Sequence, residues 1–302
     1  MFARLRSAIG GLSPNVVGTL CGLGAALGWA AGFVAARHGV QIGLSPADLA
    51  FHRFVWITPL LLPLAWRHGP ADLGGIGWGR AVLLALLGGP GSAYLSGLGF
   101  TLAPLGHGAV IQPGSAALGG LLLATAVLHE PLRLGRMVGA ALMLSGLLLL
   151  GAEGVATIGT HGLAGDISFM VAGLSWATFG MLLRYWRLGA ARVAVAICVV
   201  SFLIYTPLHA VVFGFTRMAA VGVMENLLQI LVQGVFAGAL GVHLYARAVM
   251  LLGAGRAAAF PAMVPPATLL IGFLFLGEVP SLVQLAGLAV VILGFRFALR
   301  PH

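Results

Sequence analysis

The sequence predicts an all-α membrane protein of ten transmembrane helices, arranged as two inverted five-helix repeats. Three observations predict it. Apolar residues make up 60% of the 302 and charged residues only 8%, where a soluble domain carries roughly 25% charged residues. Ten stretches of roughly 20 mostly apolar residues follow one another, each long enough to cross a bilayer at about 1.5 Å per residue. The chain also matches itself at a nearly constant offset from one end to the other. A surface so poor in charge cannot face water over most of its area, which excludes a soluble enzyme, a DNA-binding module and a disordered chain.

Cutting at charges and at Gly/Pro clusters places helices near 16–36, 47–66, 80–101, 105–128 and 133–151, then near 163–184, 191–214, 225–249, 254–276 and 281–299. Connectors are mostly short, leaving no room for a soluble domain. The first apolar run begins near Val16, is long enough to span, and lacks a short core followed by a small-residue cleavage site, so the N-terminus is expected to stay attached. Cys21 and Cys198 lie inside apolar runs and belong to no disulfide framework or metal motif. No cofactor or metal is expected.

Charge gives the orientation. The net charge is +9, and all sixteen basic residues are arginine. They come singly or in pairs between apolar runs, without the basic stripe of a nucleic-acid binder. With a cytoplasmic N-terminus, thirteen fall on inner segments, among them Arg4, Arg67, Arg80, Arg184, Arg192 and Arg256. Only Arg37, Arg53 and Arg217 fall on outer ones. That bias places both termini in the cytoplasm.

The repeat is explicit in the residues. An offset of 147 sets Trp29 on Trp176 and Arg37 on Arg184. An offset of 148 sets Thr58-Pro59-Leu60 on Thr206-Pro207-Leu208, Pro113 on Pro261, Glu130 on Glu278, Gly139 on Gly287 and Gly146 on Gly294. The halves are thus 1–152 and 153–302. Five helices per half is an odd number, so the second half enters the membrane from the opposite side. Inverted repeats with a site near the midplane, where the halves meet, are a transporter architecture. A receptor or an intramembrane enzyme has no need of that symmetry.

A tryptophan midway along the first helix of each copy, and a glutamate at the fourth-to-fifth turn with a glycine nine residues on (Glu130…Gly139 and Glu278…Gly287), resemble the drug/metabolite transporter superfamily, EamA type. The resemblance covers essentially 16–299, and is most similar to the bacterial aromatic amino-acid exporters of that superfamily. It implies a helical basket around a central cavity, with the fifth and tenth helices peripheral, in a bacterial inner membrane. It also implies small metabolites, commonly amino acids, moved out of the cytoplasm. The first copy departs from the second in carrying His129 where the other has Gly277.

Ionisable groups near the membrane centre are costly, and functional where they occur. None falls mid-span: Asp166 and Glu225 lie at span ends, Glu130 and Glu278 at turns. Phosphate carriers would need basic residues there and small multidrug pumps a carboxylate, so the expected substrate is neutral or zwitterionic and efflux is facilitated. The candidate substrate-binding residues are Trp29, Tyr94, Gln112, Ser115, Trp176, His243 and Tyr245. Trp29 and Trp176 are symmetry mates away from the interfacial belt that suits Trp66, Trp78, Tyr185 and Trp186. They either line the cavity or pack between helices. Tyr94 follows Gly88-Gly89-Pro90-Gly91-Ser92, which should loosen its helix. Pro113, beside Gln112 and Ser115, and Pro261 are expected to kink their helices at the cavity. His243 is a mid-span histidine, read either as packing or as a proton carrier. Small-xxx-small patterns at Gly18–Gly22, Gly28–Gly32, Gly135–Gly139 and Gly234–Gly238 allow close helix approach.

The leading expectation is an exporter of aromatic and other apolar amino acids, whose partners are the small-molecule substrate and the lipid bilayer. An efflux carrier for flat drug-like or toxic aromatic compounds is the alternative. A remote one is an intramembrane serine hydrolase built on Gly173-Leu174-Ser175 and His243, which lacks the second glycine of a nucleophile elbow.

Overall fold

A computed structural model describes residues 13–59, 72–103, 105–131, 134–150, 162–271, 274 and 281–299. Every regular element among them is helical. In chain order these are α1 (Pro14–Gln41), α2 (Pro46–Phe54), α3 (Trp78–Gly88), α4 (Pro90–Leu102), α5 (Leu105–Ala126) and α6 (Leu134–Leu150). Then come α7 (Leu163–Tyr185), α8 (Ala190–Val200), α9 (Thr206–Val212), α10 (Thr216–Val221), α11 (Val223–Gln229) and α12 (Gly241–Leu252). The last are α13 (Ala254–Ala257), α14 (Val264–Ile271) and α15 (Leu282–Leu299). Five helical stretches among the described residues are long and apolar enough to cross a membrane: Pro14–Gln41, Trp78–Leu102, Leu163–Tyr185, Arg192–Val212 and Val223–Leu252. Their outer faces carry large apolar side chains such as Leu163, Val211 and Val223, as surfaces that meet lipid must.

Local chemistry fixes where helices start and bend. Ser13 accepts a hydrogen bond from Val16 N and Pro14 stands in the first turn of α1, where a missing N–H loses nothing. Ser45 and Asp48 form a reciprocal capping box at the start of α2, with Pro46 inside it. The Gly-Gly-Pro cluster breaks the third predicted span into α3 and α4 at Gly89, and Pro90 opens α4. Pro207 is met differently. The helix widens to π geometry over Ser201–Tyr205 before α9 resumes, which accommodates a residue that cannot donate to the preceding turn. A second π-helical stretch, Ile230–Leu240, joins α11 to α12.

Of the two symmetry-related prolines, Pro113 lies within the uninterrupted α5. Pro261 sits in a 3₁₀ turn, Phe260–Met263, between α13 and α14. The expected kinks are therefore unequal in form. His129 has φ +53°, in the left-handed region. Only glycine enters that region freely; the residue at the equivalent position of the second copy in the sequence is Gly277, outside the described residues.

Glycines mark where helix backbones meet. A Cβ on Gly28 would lie 2.6 Å from Phe236 O, and one on Gly22 would enter the Phe260 ring. The longest such seam joins α6 to α15. The Cβ position at Gly139 is 2.7 Å from Gly294 O, that at Gly294 is 2.7 Å from Gly139 O, and that at Gly146 is 2.7 Å from Gly287 O. Increasing numbers on α6 meet decreasing numbers on α15, so the two helices run antiparallel. Gly139 meets the counterpart of Gly146, and Gly146 meets the counterpart of Gly139, which is the contact pattern of a local twofold axis.

Cross-half polar contacts add to this. Thr58 Oγ1 donates to Cys198 O at 2.8 Å, besides Phe54 O at 3.2 Å in its own turn. Thr58→Val, nearly isosteric, is expected to cost about 1 kcal/mol by removing this bond between the halves, while the Cys198 carbonyl keeps the Ser201 N–H. Thermal unfolding of the purified protein in detergent measures it, and an unchanged midpoint would mean the bond contributes nothing.

Candidate functional site

α1 and α7 are the equivalent first helices of the two halves, and each carries a tryptophan about halfway along. The fold brings the two together. The Trp29 and Trp176 ring centroids are 4.8 Å apart. Tyr245 of α12 closes the cluster at 5.3 Å from Trp29 and 5.5 Å from Trp176, and Phe179 packs on Trp176 at 5.3 Å. These tilted and edge-to-face arrangements are those aromatic quadrupoles favour. Trp29 and Tyr245 are buried, whereas Trp176 keeps part of its surface open. The Trp29 indole Nε1–H finds no acceptor, although it approaches Gly241, whose Cβ position lies 2.8 Å away. A buried donor with nothing to donate to is rare in a folded core.

The other sequence candidates fall in different places. Gln112 and Ser115 lie at the crossing of α5 with α7, where Gln112 O and Ser115 Cβ press on Gly173. The Gln112 side chain is buried with its Oε1 unbonded. His243 is half-buried on α12, without a hydrogen bond among the described residues, and Arg247 stands one turn on. Tyr94 turns away from the tryptophans. Its ring lies 6.0 Å from Phe213, beside a polar cluster the sequence did not reveal. Ser175, the nucleophile of the hydrolase alternative, donates instead to Val171 O at 2.8 Å, within its own helix.

That polar cluster joins α2 to α9. His209 Nε2 lies 3.1 Å from Asp48 Oδ1, with both side chains almost wholly buried. Asp48 Oδ2 accepts from Ser45 N at 2.8 Å and Ser45 Oγ at 2.7 Å. Tyr205 donates to Ala47 O at 3.1 Å, and Phe51, Phe213 and Phe215 wall the imidazole. Arg53, counted above with the outer segments, stands inside α2 against α1 and the π-helical stretch. Its Nη2 is 3.4 Å from the Cβ position at Gly32, and its carbonyl presses on Gly238. Gln229 donates to Ala35 O at 2.8 Å, while Gln233 is buried with its Oε1 unbonded. The capping box at Ser45 was legible in the sequence. The depth of Arg53 and the partners of His209 were not, because both depend on how α2 leans across the other half.

At the ends of the helices, His38 and Glu225 pair at 2.9 Å between α1 and α11. Arg80 stacks over Trp186 at 5.1 Å, and Arg192 donates to Gly74 O at 2.8 Å. Arg80, Arg192 and Trp186 all come from segments assigned to the cytoplasmic end. Trp66 lies outside the described residues, and so do Gly277 and Glu278.

A helical membrane bundle in two matching halves, with one aromatic from each first helix meeting between them, defines a membrane transporter. The chain belongs to the EamA-like transporter family, whose model matches residues 16–152 and again 163–300. A protein of Streptantibioticus cattleyicolor named a probable terminal-alkyne amino-acid exporter is 31% identical over 274 residues, covering 88% of each chain. A solved crystal structure shares the fold with a TM-score of 0.70 at 18% identity, over 93% of this chain and 96% of that one.

Proposed function

We propose that the protein exports amino acids with aromatic or other apolar side chains across a bacterial plasma membrane, by alternating access. The observation that carries this is the cluster of Trp29, Trp176 and Tyr245. It joins the two halves, is lined by flat apolar surface, and keeps an unused N–H donor. The relative named as an amino-acid exporter supports the substrate class. In this reading ten helices form two inverted repeats, 1–152 and 153–302, with both termini cytoplasmic. The antiparallel seam of α6 on α15 supports the inversion, and the arginine bias supports the orientation. Each half can then adopt the other's conformation, opening the aromatic site first to one side and then to the other.

Counterflow in liposomes at equal pH tests this, with labelled phenylalanine or tryptophan and with arginine, glutamate and a nucleotide sugar as competitors. Uptake that only neutral amino acids compete away is expected. Trp176→Ala is expected to lower it about tenfold, the equivalent of roughly 1.4 kcal/mol of lost aromatic contact. Flat traces for every amino acid, with uptake of planar dyes, would overturn the reading in favour of drug efflux.

A further inference from the structure

We propose that Arg53 and Gln233 form the polar end of the substrate site, Arg53 holding a carboxylate and Gln233 Oε1 accepting from an ammonium group. This rests on the amino-acid reading above and adds the groups that recognise the α-amino-acid head. The two side chains come from different helices and converge on one spot of α1. Arg53 Nη2 lies 3.4 Å, and Gln233 Oε1 3.3 Å, from the Cβ position at Gly32. A Cβ at Gly32 would also meet Ala237 Cβ at 2.7 Å, so the close approach of these groups depends on glycine there. Gly32 is three residues from Trp29, on the same face of the helix. The opposite wall gives the same register: Arg53 O meets Gly238 and Trp29 Nε1 meets Gly241, one turn further along the same helix. The polar pair and the tryptophan cluster are therefore consecutive layers of one inter-helix space.

Each group is short of a partner. Gln233 is 2% exposed and its Oε1 accepts no hydrogen bond. Arg53 forms no ion pair or hydrogen bond among the described residues, yet keeps some accessible surface. Asp48, five residues earlier on α2, is committed to His209 and Ser45. A guanidinium within a membrane protein needs a compensating charge. Among the described residues none stands beside it, and a carboxylate fits the planar fork of donors. The neighbouring amide oxygen, an acceptor only, suits an ammonium. A zwitterion satisfies both and leaves its side chain against the aromatic layer.

The test uses counterflow of labelled phenylalanine with three competitors: phenylalaninamide lacks the carboxylate, 3-phenylpropionate lacks the ammonium, and phenethylamine has only the ammonium. Wild type is expected to prefer phenylalanine over each by at least about tenfold, the scale of one charge-assisted hydrogen bond. Arg53→Gln is expected to bring phenylalaninamide level with phenylalanine, and Arg53→Lys to restore part of the preference. Gln233→Leu is expected to do the same for 3-phenylpropionate and leave the preference over the amide intact. These are ratios within one preparation, so the folded fraction cancels. Arg53→Gln that keeps the wild-type preference overturns the proposal while leaving the amino-acid reading standing. Wild type that accepts phenylalaninamide as readily as phenylalanine overturns it without any variant. Wild type that moves no amino acid overturns both.

Discussion

Replacing Asp48 with alanine is expected to lower the unfolding free energy by about 3–5 kcal/mol, since each hydrogen bond to a buried carboxylate contributes roughly 1.5–3 kcal/mol. The carboxylate has three hydrogen bonds to lose: one with His209 Nε2 and two from Ser45. His209 is fully buried, its Nδ1 already lacks a partner, and its ring is enclosed by Phe51, Phe213 and Phe215. Without Asp48 the buried imidazole is left with no partner at either nitrogen among the described residues. His209→Leu is expected to cost a comparable amount, since it leaves a carboxylate facing an apolar wall. The double variant Asp48→Leu with His209→Leu should recover part of the loss, because apolar replacement of both partners removes the orphan. It does not recover the capping box that Asp48 completes for α2. Unfolding midpoints in detergent give the comparison, and a His209→Leu protein as stable as wild type would refute the assignment.

Gly146→Val and Gly294→Val are expected to destabilise equally, each by about 3 kcal/mol, at the upper end for overpacking. At both positions a Cβ meets backbone, and at Gly146 the Val291 Cγ2 as well. It lies 2.7 Å from Gly287 O and from Val291 N in the first case, and 2.6 Å from Met143 N in the second. Neither helix can yield without separating along its length. Because the two glycines are counterparts under the repeat, equal losses are the quantitative signature of the local twofold. The double variant should lose less than the sum, since one separation of the seam relieves both clashes. Unequal losses of 2 kcal/mol or more would break the equivalence.

Much of this architecture was legible because membrane burial writes itself into runs of apolar residues and the duplication into fixed offsets. The spans read near 163–184 and 281–299 became Leu163–Tyr185 and Leu282–Leu299. The offset marks Trp29 and Trp176 as equivalent positions, but their meeting, and Tyr245 joining them, emerges only in the fold. Tyr94 was read into the cavity on its loosened helix. The break at Gly89 was correct, but its ring turns toward Phe213. Arg53 escaped because hydropathy reports position along the chain and not tilt. Seven residues into a span it looks peripheral, yet α2 carries it to Gly32 of α1. Gln229 and Gln233 escaped because one amide in an apolar run scarcely changes its average. Their importance lies in partners on α1, some 200 residues away.

The seam between α6 and α15 has a consequence for how such a chain arises. Gly139 and Gly146 both lie in the first half, and their counterparts Gly287 and Gly294 make the same two contacts in reverse. One half therefore already owns both faces of the joint. Two identical copies of it, inserted in opposite directions, would dock Gly139 of one onto Gly146 of the other with nothing left to invent. Fusing the genes would then add only a connector. After fusion the halves were free to differ: an arginine and a glutamine on two helices need no mirror images on the other two. The shared joint keeps the ancestral sameness, and Arg53 and Gln233 are among the positions where the copies have parted.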